Sequence, residues 1–308
     1  LRAWLQKLEG QFGAFDAHIS NLDKTNLAVA KLDLPNTLYV IHNSVEDTLR
    51  SRYKQPFKWW MIRQSLKALS GKDVIAVSLG VAAGITRSAL IEPRSLRTIY
   101  NPLDFEEVST LAAEPVPDLP AEPYLIHVGR VARQKRHDIL FQALANTKEP
   151  IKLVCLCRNV KKAKQLAKKY GVEDKVILPG FKANPYPWIK NAKGLVLSSD
   201  FEGFAMVLVE ALSLGVPVVS TDCDFGPREI LTGPLAEWLV PTGSPELLGK
   251  KIDALLTAGE LKLSPPILEE IIDNKAAARY LKALDVHKAS LERVAPAVFA
   301  KEPERSTC

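Results

Sequence analysis

Two clusters in this 308-residue sequence combine charged residues and glycines in a way that suits an anionic, hydroxyl-rich ligand. The first is His127-Val128-Gly129-Arg130-Val131-Ala132-Arg133-Gln134-Lys135-Arg136-His137-Asp138. A strand ending on Gly129 lets backbone approach a ligand, and Arg130 and Lys135 can converge on one anion ahead of the next helix. That outlines a diphosphate site, although a solvated basic loop fits the same residues. The second cluster is Asp200-Phe201-Glu202-Gly203-Phe204-Ala205-Met206-Val207-Leu208-Val209-Glu210-Ala211. It follows an apolar stretch, 194–197, where open α/β sheets bind ligands at the carboxyl ends of their strands. Glu202 is expected in the loop and Glu210 two turns into the following helix. With Gly203 opening that helix, the amides of Phe204 to Val207 point at an anion and both carboxylates face hydroxyl groups. The plainer alternative makes Glu210 a surface charge and Glu202 a partner of the helix dipole.

The elements that must hold these clusters alternate along the chain. Short apolar runs at 37–41, 74–78, 124–128, 151–156, 176–178, 194–197 and 216–220 are separated by longer helical patterns, the signature of parallel sheets with crossover helices. Four prolines in the twelve residues 112–123 forbid a helix or central strand there and mark a linker. The expected organisation is a first domain over 1–111, the linker 112–123, a second domain over 124–260, and helices with a polar tail over 261–308. Only two or three strands are evident before the linker, so the first domain reads as small for its class. At 47% hydrophobic residues the chain can bury two cores. No apolar run reaches the roughly 18 to 20 residues that span a bilayer, and residues 1–4 lack signal-peptide character. Four cysteines, two of them in Cys155-Leu156-Cys157, suggest free thiols in a reducing compartment.

At this point the residues carry a resemblance. The sequence resembles the retaining GT-B glycosyltransferases of family 4, which are marked by two glutamates with seven residues between them, here Glu202 and Glu210. The run Gly129-Arg130 to Lys135 is similar to that family's diphosphate-binding pair. The runs Ile99-Tyr100-Asn101-Pro102-Leu103-Asp104, Gly215-Val216-Pro217-Val218-Val219 and Gly226-Pro227-Arg228-Glu229-Ile230-Leu231 follow its pattern in order and spacing. The resemblance covers roughly residues 95 to 240 and implies an α/β fold of two Rossmann-like parallel-sheet domains facing a cleft, the first lacking its opening strands. It implies that Arg130 and Lys135 neutralise the departing diphosphate and that Glu202 faces hydroxyls of the transferred sugar. Glu210 would bind the ribose, and Phe204, Ala205 and Met206 would lend backbone amides. Gly129 would admit the phosphates, Phe181 would cradle the base, and His42 would face the donor sugar from the first domain. Where the family has a Gly-rich turn, this chain has Cys157-Arg158-Asn159.

The implied activity is retaining transfer of a hexose or N-acetylhexosamine from a nucleoside-diphosphate sugar, UDP favoured, to a glycolipid or polysaccharide acceptor. No cofactor or metal is expected. Asp222-Cys223-Asp224 has a metal-binding form, but it follows the 216–220 strand and leads into the family-like Gly226-Pro227-Arg228-Glu229 turn, which is not a metal-dependent context. A catalytically impaired nucleotide-sugar-binding protein is the alternative, and a dinucleotide oxidoreductase lacks its Gly-x-Gly-x-x-Gly turn. The net charge of +6 is uneven: residues 49–72 hold Arg50, Arg52, Lys54, Lys58, Arg63, Lys67 and Lys72 with no acid. Helical spacing puts Trp59, Ile62, Leu66 and Leu69 on a core stripe and Trp60, Arg63 and Lys67 on an outer one. The outer stripe is a candidate contact to anionic lipid, so the chain is expected in the cytoplasm or on the inner face of the cell membrane. A solvated basic face accounts for the same pattern, and no nucleic-acid-binding motif accompanies it.

Overall fold

The computed structural model describes residues 1–50, 53–259, 261 and 263–284, with the Asp47 side chain left aside. Arg52 of the basic segment, the 301–308 tail and Cys308 lie outside the described residues. The first half runs α1 (Arg2–Phe12), β1 (His18–Asn21), α2 (Asp23–Ala30), β2 (Thr37–Ile41), α3 (Val45–Arg50), α4 (Pro56–Lys67), β3 (Asp73–Ala76), α5 (Leu79–Ser88), β4 (Ser95–Thr98) and α6 (Phe105–Ala112). Its four strands form one parallel sheet in the order β1-β2-β3-β4. The central strands β2 and β3 are buried on both faces, which is why they read as continuous apolar runs. The edge strands β1 and β4 are short and polar, so this sheet holds more strands than hydrophobic patterning finds.

The second half runs β5 (Tyr124–Val128), α7 (His137–Ala145), β6 (Lys152–Leu156), α8 (Val160–Lys169), β7 (Val176–Gly180), α9 (Tyr186–Lys190), β8 (Gly194–Leu197), α10 (Met206–Ser213), β9 (Val218–Thr221), α11 (Pro227–Ile230), a 3-10 turn over Gly233–Trp238, β10 (Leu239–Val240) and α12 (Pro245–Thr257). The short α13 (Ile267–Glu270) and α14 (Asp273–Ala283) follow. The sheet is parallel throughout, in the order β10-β9-β8-β5-β6-β7. Chain order reverses between β5 and β8: β6 and β7 are added on one side of β5, and β8, β9 and β10 on the other. The carboxyl ends of β5 and β8 therefore open a crevice, the usual ligand position in such sheets. Both clusters that open the sequence analysis leave from those two ends.

Local chemistry fixes the helix starts. Ser78, Asp104 and Asn159 cap α5, α6 and α8, each side chain accepting from the backbone N–H three residues on. Pro56 and Pro245 stand in the first turns of α4 and α12, where a missing N–H costs nothing. The proline-rich segment 112–123 joins α6 to β5, and α6 packs on α9 beside the second sheet. After α12 the chain returns toward the first half, where Leu103 N–H donates to Ile271 O at 2.8 Å. Among the described residues no helix is long and apolar enough to cross a membrane.

Candidate nucleotide-sugar site

The loop after β5 and the loop after β8 are stitched into one surface. Arg136, whose backbone is left-handed (φ 44°), reaches both. Its guanidinium donates to Asp138 on α7 at 2.9 Å and to Asp200 after β8 at 2.7 Å. Asp200 N–H donates to Gln134 O, Gln134 Nε2 donates to Phe201 O and Ser198 Oγ donates to Lys135 O, all at 2.8 Å. On the next strand Thr221 Oγ1 donates to Ser199 O at 2.6 Å. Arg136, Asp138 and Asp200 belong to the two sequence clusters but carry no role from sequence alone. Their signal was a cation and two anions at neighbouring strand ends, legible only once β5 and β8 are known to be adjacent.

Within this frame the structure joins two of the expected site residues directly. Lys135 Nζ lies 2.7 Å from Glu202 Oε1, with 17% and 9% of the two side chains exposed, so this is a largely desolvated ion pair. Ser199 Oγ donates to the same carboxylate oxygen at 2.5 Å. Glu202 is thus an ion-pair partner in this structure, where sequence reasoning placed it facing hydroxyls. Gly129 packs against this pair from below: a Cβ there would lie 3.1 Å from His127 Nε2 and 3.5 Å from Lys135 Cδ. Arg130 is exposed and has no ion-pair partner among the described residues. With Arg133, Gln134, Asp200, Asp222 and, from the first half, Asp23 and Asn43, it lines a cleft of 1090 Å³.

The second glutamate sits differently from expectation. Helix α10 starts at Met206, and Glu210 lies one turn in, where two turns were expected. Gly203 does not open the helix. A Cβ at 203 would overlap the carbonyl oxygen of His42, so this glycine is one point at which the two halves touch. The turn into α10 is made by Ala205 in a left-handed conformation (φ 40°), with Phe204 and Ala205 buried and Met206 half-buried. Burial raises the Glu210 carboxyl to about 7, against the opposing pull of the Lys135 charge. Tyr186, which sequence reasoning missed, lies beside this site: burial raises its hydroxyl pKa, and the Glu210 and Glu107 charges add to the rise.

His42 follows β2, and its backbone touches Gly203 while its ring turns to the first half, with Nε2 2.9 Å from Asn21 Oδ1. Burial lowers its pKa, partly offset by Asp23. Phe181 lies at the far end of the second sheet, 58% exposed, with the Arg158 guanidinium 4.5 Å over its ring. The Cys157-Arg158-Asn159 departure therefore supplies a cation to the Phe181 edge. Asp222 is held by Arg228 at 2.8 and 2.9 Å, and Cys223 is buried. Among the described residues no three His, Cys, Asp or Glu groups could share a metal ion.

Two parallel-sheet α/β units meet across a cleft, with cations and carboxylates at the switch point of the second. This is the GT-B architecture, and a solved structure shares it: the Anabaena protein HepE in complex with UDP and glucose aligns at TM-score 0.66 and 18% identity, over 96% of this chain and 82% of that one. Residues 114–265, which span the second domain, match the family described as Glycosyl transferases group 1. The chain is 30% identical over 210 residues to the N-acetylgalactosamine-N,N'-diacetylbacillosaminyl-diphospho-undecaprenol 4-alpha-N-acetylgalactosaminyltransferase of Campylobacter jejuni, covering 68% of this chain and 54% of that protein. It is 30% identical over 216 residues to the lipopolysaccharide 1,6-galactosyltransferase of Salmonella typhimurium, covering 68% and 58%. The chain thus spans a little over half the length of these relatives.

Proposed function

We propose that this chain is a retaining glycosyltransferase moving a hexose or N-acetylhexosamine from a nucleoside-diphosphate sugar, UDP favoured, to a glycolipid or polysaccharide acceptor. The observation that carries the reading is the meeting, at the β5–β8 switch point, of the Lys135–Glu202 pair with the open Arg130 guanidinium and the half-buried Glu210 carboxyl. A diphosphate entering between Arg130 and Lys135 takes the ammonium from Glu202 and frees that carboxylate to accept hydroxyls of the sugar. As the anomeric C–O bond breaks, its electron pair leaves on the diphosphate, and the two cations stabilise the growing charge. The acceptor hydroxyl attacks from the same face and passes its proton to the departing phosphate oxygen. Glu210 accepts from the ribose, the amides of Phe204, Ala205 and Met206 face the phosphates and sugar, Phe181 with Arg158 stacks on the base, and His42 meets the sugar from the first domain. Support comes from the sugars and acceptors in the names of the Campylobacter and Salmonella relatives and from the UDP and glucose held by the Anabaena protein.

Metal is not required in this reading, because Arg130 and Lys135 supply the positive charge and Arg228 occupies Asp222. Chelator should leave the rate unchanged; loss restored by magnesium or manganese would overturn this part. The decisive assay is transfer and hydrolysis of UDP-sugars, with UDP affinity measured alongside. Arg130→Ala is expected to lower turnover by about 100-fold or more and affinity far less, while Glu210→Ala weakens affinity. Unchanged values in both variants would sink the site. Binding without turnover with any acceptor would favour the catalytically impaired nucleotide-sugar binder.

We also propose that α4 rests on the inner face of the membrane. Phe57, Trp60 and Met61 are 70%, 53% and 42% exposed, with Lys54, Lys58 and Lys67 beside them. Each cation near an anionic surface contributes about 1 kcal/mol. Co-sedimentation with anionic vesicles should exceed that with neutral ones and fall with salt; equal binding to both refutes the electrostatic part.

A further inference from the structure

The first turn of α5 is satisfied from both halves of the molecule. Ser78 caps it from within the first half, its Oγ accepting from Val81 N–H at 3.1 Å. The preceding N–H groups, of Leu79 and Gly80, donate instead to Oε2 and Oε1 of Glu229 on α11 of the second domain, each at 2.8 Å. Tyr100 of the first half donates its hydroxyl to the same carboxylate at 3.1 Å. Glu229 has no cationic partner among the described residues; the positive end of α5 meets its charge.

Shape enforces the same contact. Phe225, four residues earlier and buried, lies across α5 at Gly80 and Gly84: a Cβ at 80 would overlap its ring, and one at 84 would lie 3.5 Å from it. The Arg87 guanidinium sits 5.5 Å over that ring. Tyr100 also packs on Phe204, ring centroids 4.9 Å apart, beside the glycine that meets His42. The segment 222–229 begins at β9, whose Thr221 holds the carbonyl of Ser199, the residue that donates to Glu202. One short loop therefore connects the Glu202 site with the first turn of α5.

We propose that Glu229 is a positioning residue for transfer: by holding the α5 N-terminus and Tyr100 it sets the first domain, and with it His42, over the sugar end of the donor site. The inference rests on the donor-site reading above. It goes beyond that reading in assigning closure of the cleft to a carboxylate that touches no substrate. A glutamine at 229 would not replace it, since one carboxamide oxygen cannot serve both amides and its NH₂ would face a donor.

The test compares the full chain with Glu229→Ala, Glu229→Gln and Gly80→Ala, the last of which wedges the same contact from the α5 side and leaves Glu229 intact. In all three, UDP affinity should stay within about twofold while turnover falls at least about tenfold. Amide hydrogen exchange at Leu79 and Gly80 should rise about tenfold or more in both Glu229 variants. Unaltered exchange, unaltered turnover, or a parallel loss of UDP affinity would overturn the proposal. Failure of the unsubstituted chain to bind UDP would instead defeat the donor-site reading, and the exchange measurement would still decide the cross-domain contact.

Discussion

At the scale of single residues, the most consequential group is the Glu210 carboxyl, pushed up to about 7 by burial from an ordinary value of 4.5. Its folded pKa exceeds its unfolded one, so its contribution to stability is full below pH 4.5 and is lost as pH rises through 7. Above pH 7 the partly desolvated carboxylate costs the fold on the order of 3 kcal/mol. Glu210→Gln is therefore expected to raise the melting temperature at pH 8 relative to the unsubstituted chain and to leave it nearly unchanged at pH 4. If Glu210 binds the ribose as proposed, the ribose hydroxyls donate to its ionised form, so nucleotide binding should release a proton below pH 7. Affinity should climb by up to about tenfold per pH unit below 7 and level off above it. Calorimetry in buffers of different ionisation enthalpy checks this; proton uptake, or a flat affinity profile, would remove Glu210 from the ribose.

At the scale of elements, the second domain depends on α12 lying close against α7. Gly249 makes that possible: a Cβ there would lie 2.8 Å from the carbonyl oxygen of Ala143 on α7. Backbone cannot yield as a flexible side chain can, so Gly249→Ala should cost about 1 to 3 kcal/mol in urea unfolding. Gly194, whose added Cβ would overlap the movable end of the Leu255 side chain and only touch Leu125 Cδ2 and Pro217 O at 3.4 Å, should cost less. A reversed ranking would mean that α12 shifts freely on α7. The core stripe read for α4 is borne out at this scale, with Leu66 and Leu69 buried and Trp59 and Ile62 half-buried. Trp60 lies on the outer face, 53% exposed.

At the scale of the whole molecule, the two halves meet at specific contacts, among them α6 on α9, Glu229 at the start of α5 and Gly203 at His42. Gly203 against the His42 carbonyl is the tightest of them, and it leaves no room for a Cβ. Gly203→Ala should therefore open the cleft with little effect on the melting of either sheet. Small-angle scattering should show a larger radius of gyration, and turnover should fall at least about tenfold. Unchanged scattering and turnover would mean that the halves accommodate the methyl group.

Much of this molecule was legible in the chain itself. The buried central strands announce themselves as apolar runs because both faces must be dry, and Glu202, Glu210, Arg130 and Lys135 are distinctive in type and spacing. Edge strands β1 and β4 were not legible, being short and polar, nor was the two-residue β10, although the edge strand β7 was. Nor could sequence spacing reveal that Lys135 rests on Glu202, 67 residues away, or that Arg136 ties two loops together. The role of Gly203 was misread because a glycine before a helix looks like a helix opener, whereas here it answers a backbone from the other half. Local pattern determines which segments form strands, helices and charged loops, because propensity and burial act residue by residue. Which loops become neighbours depends on strand order, and only the tertiary structure decides that.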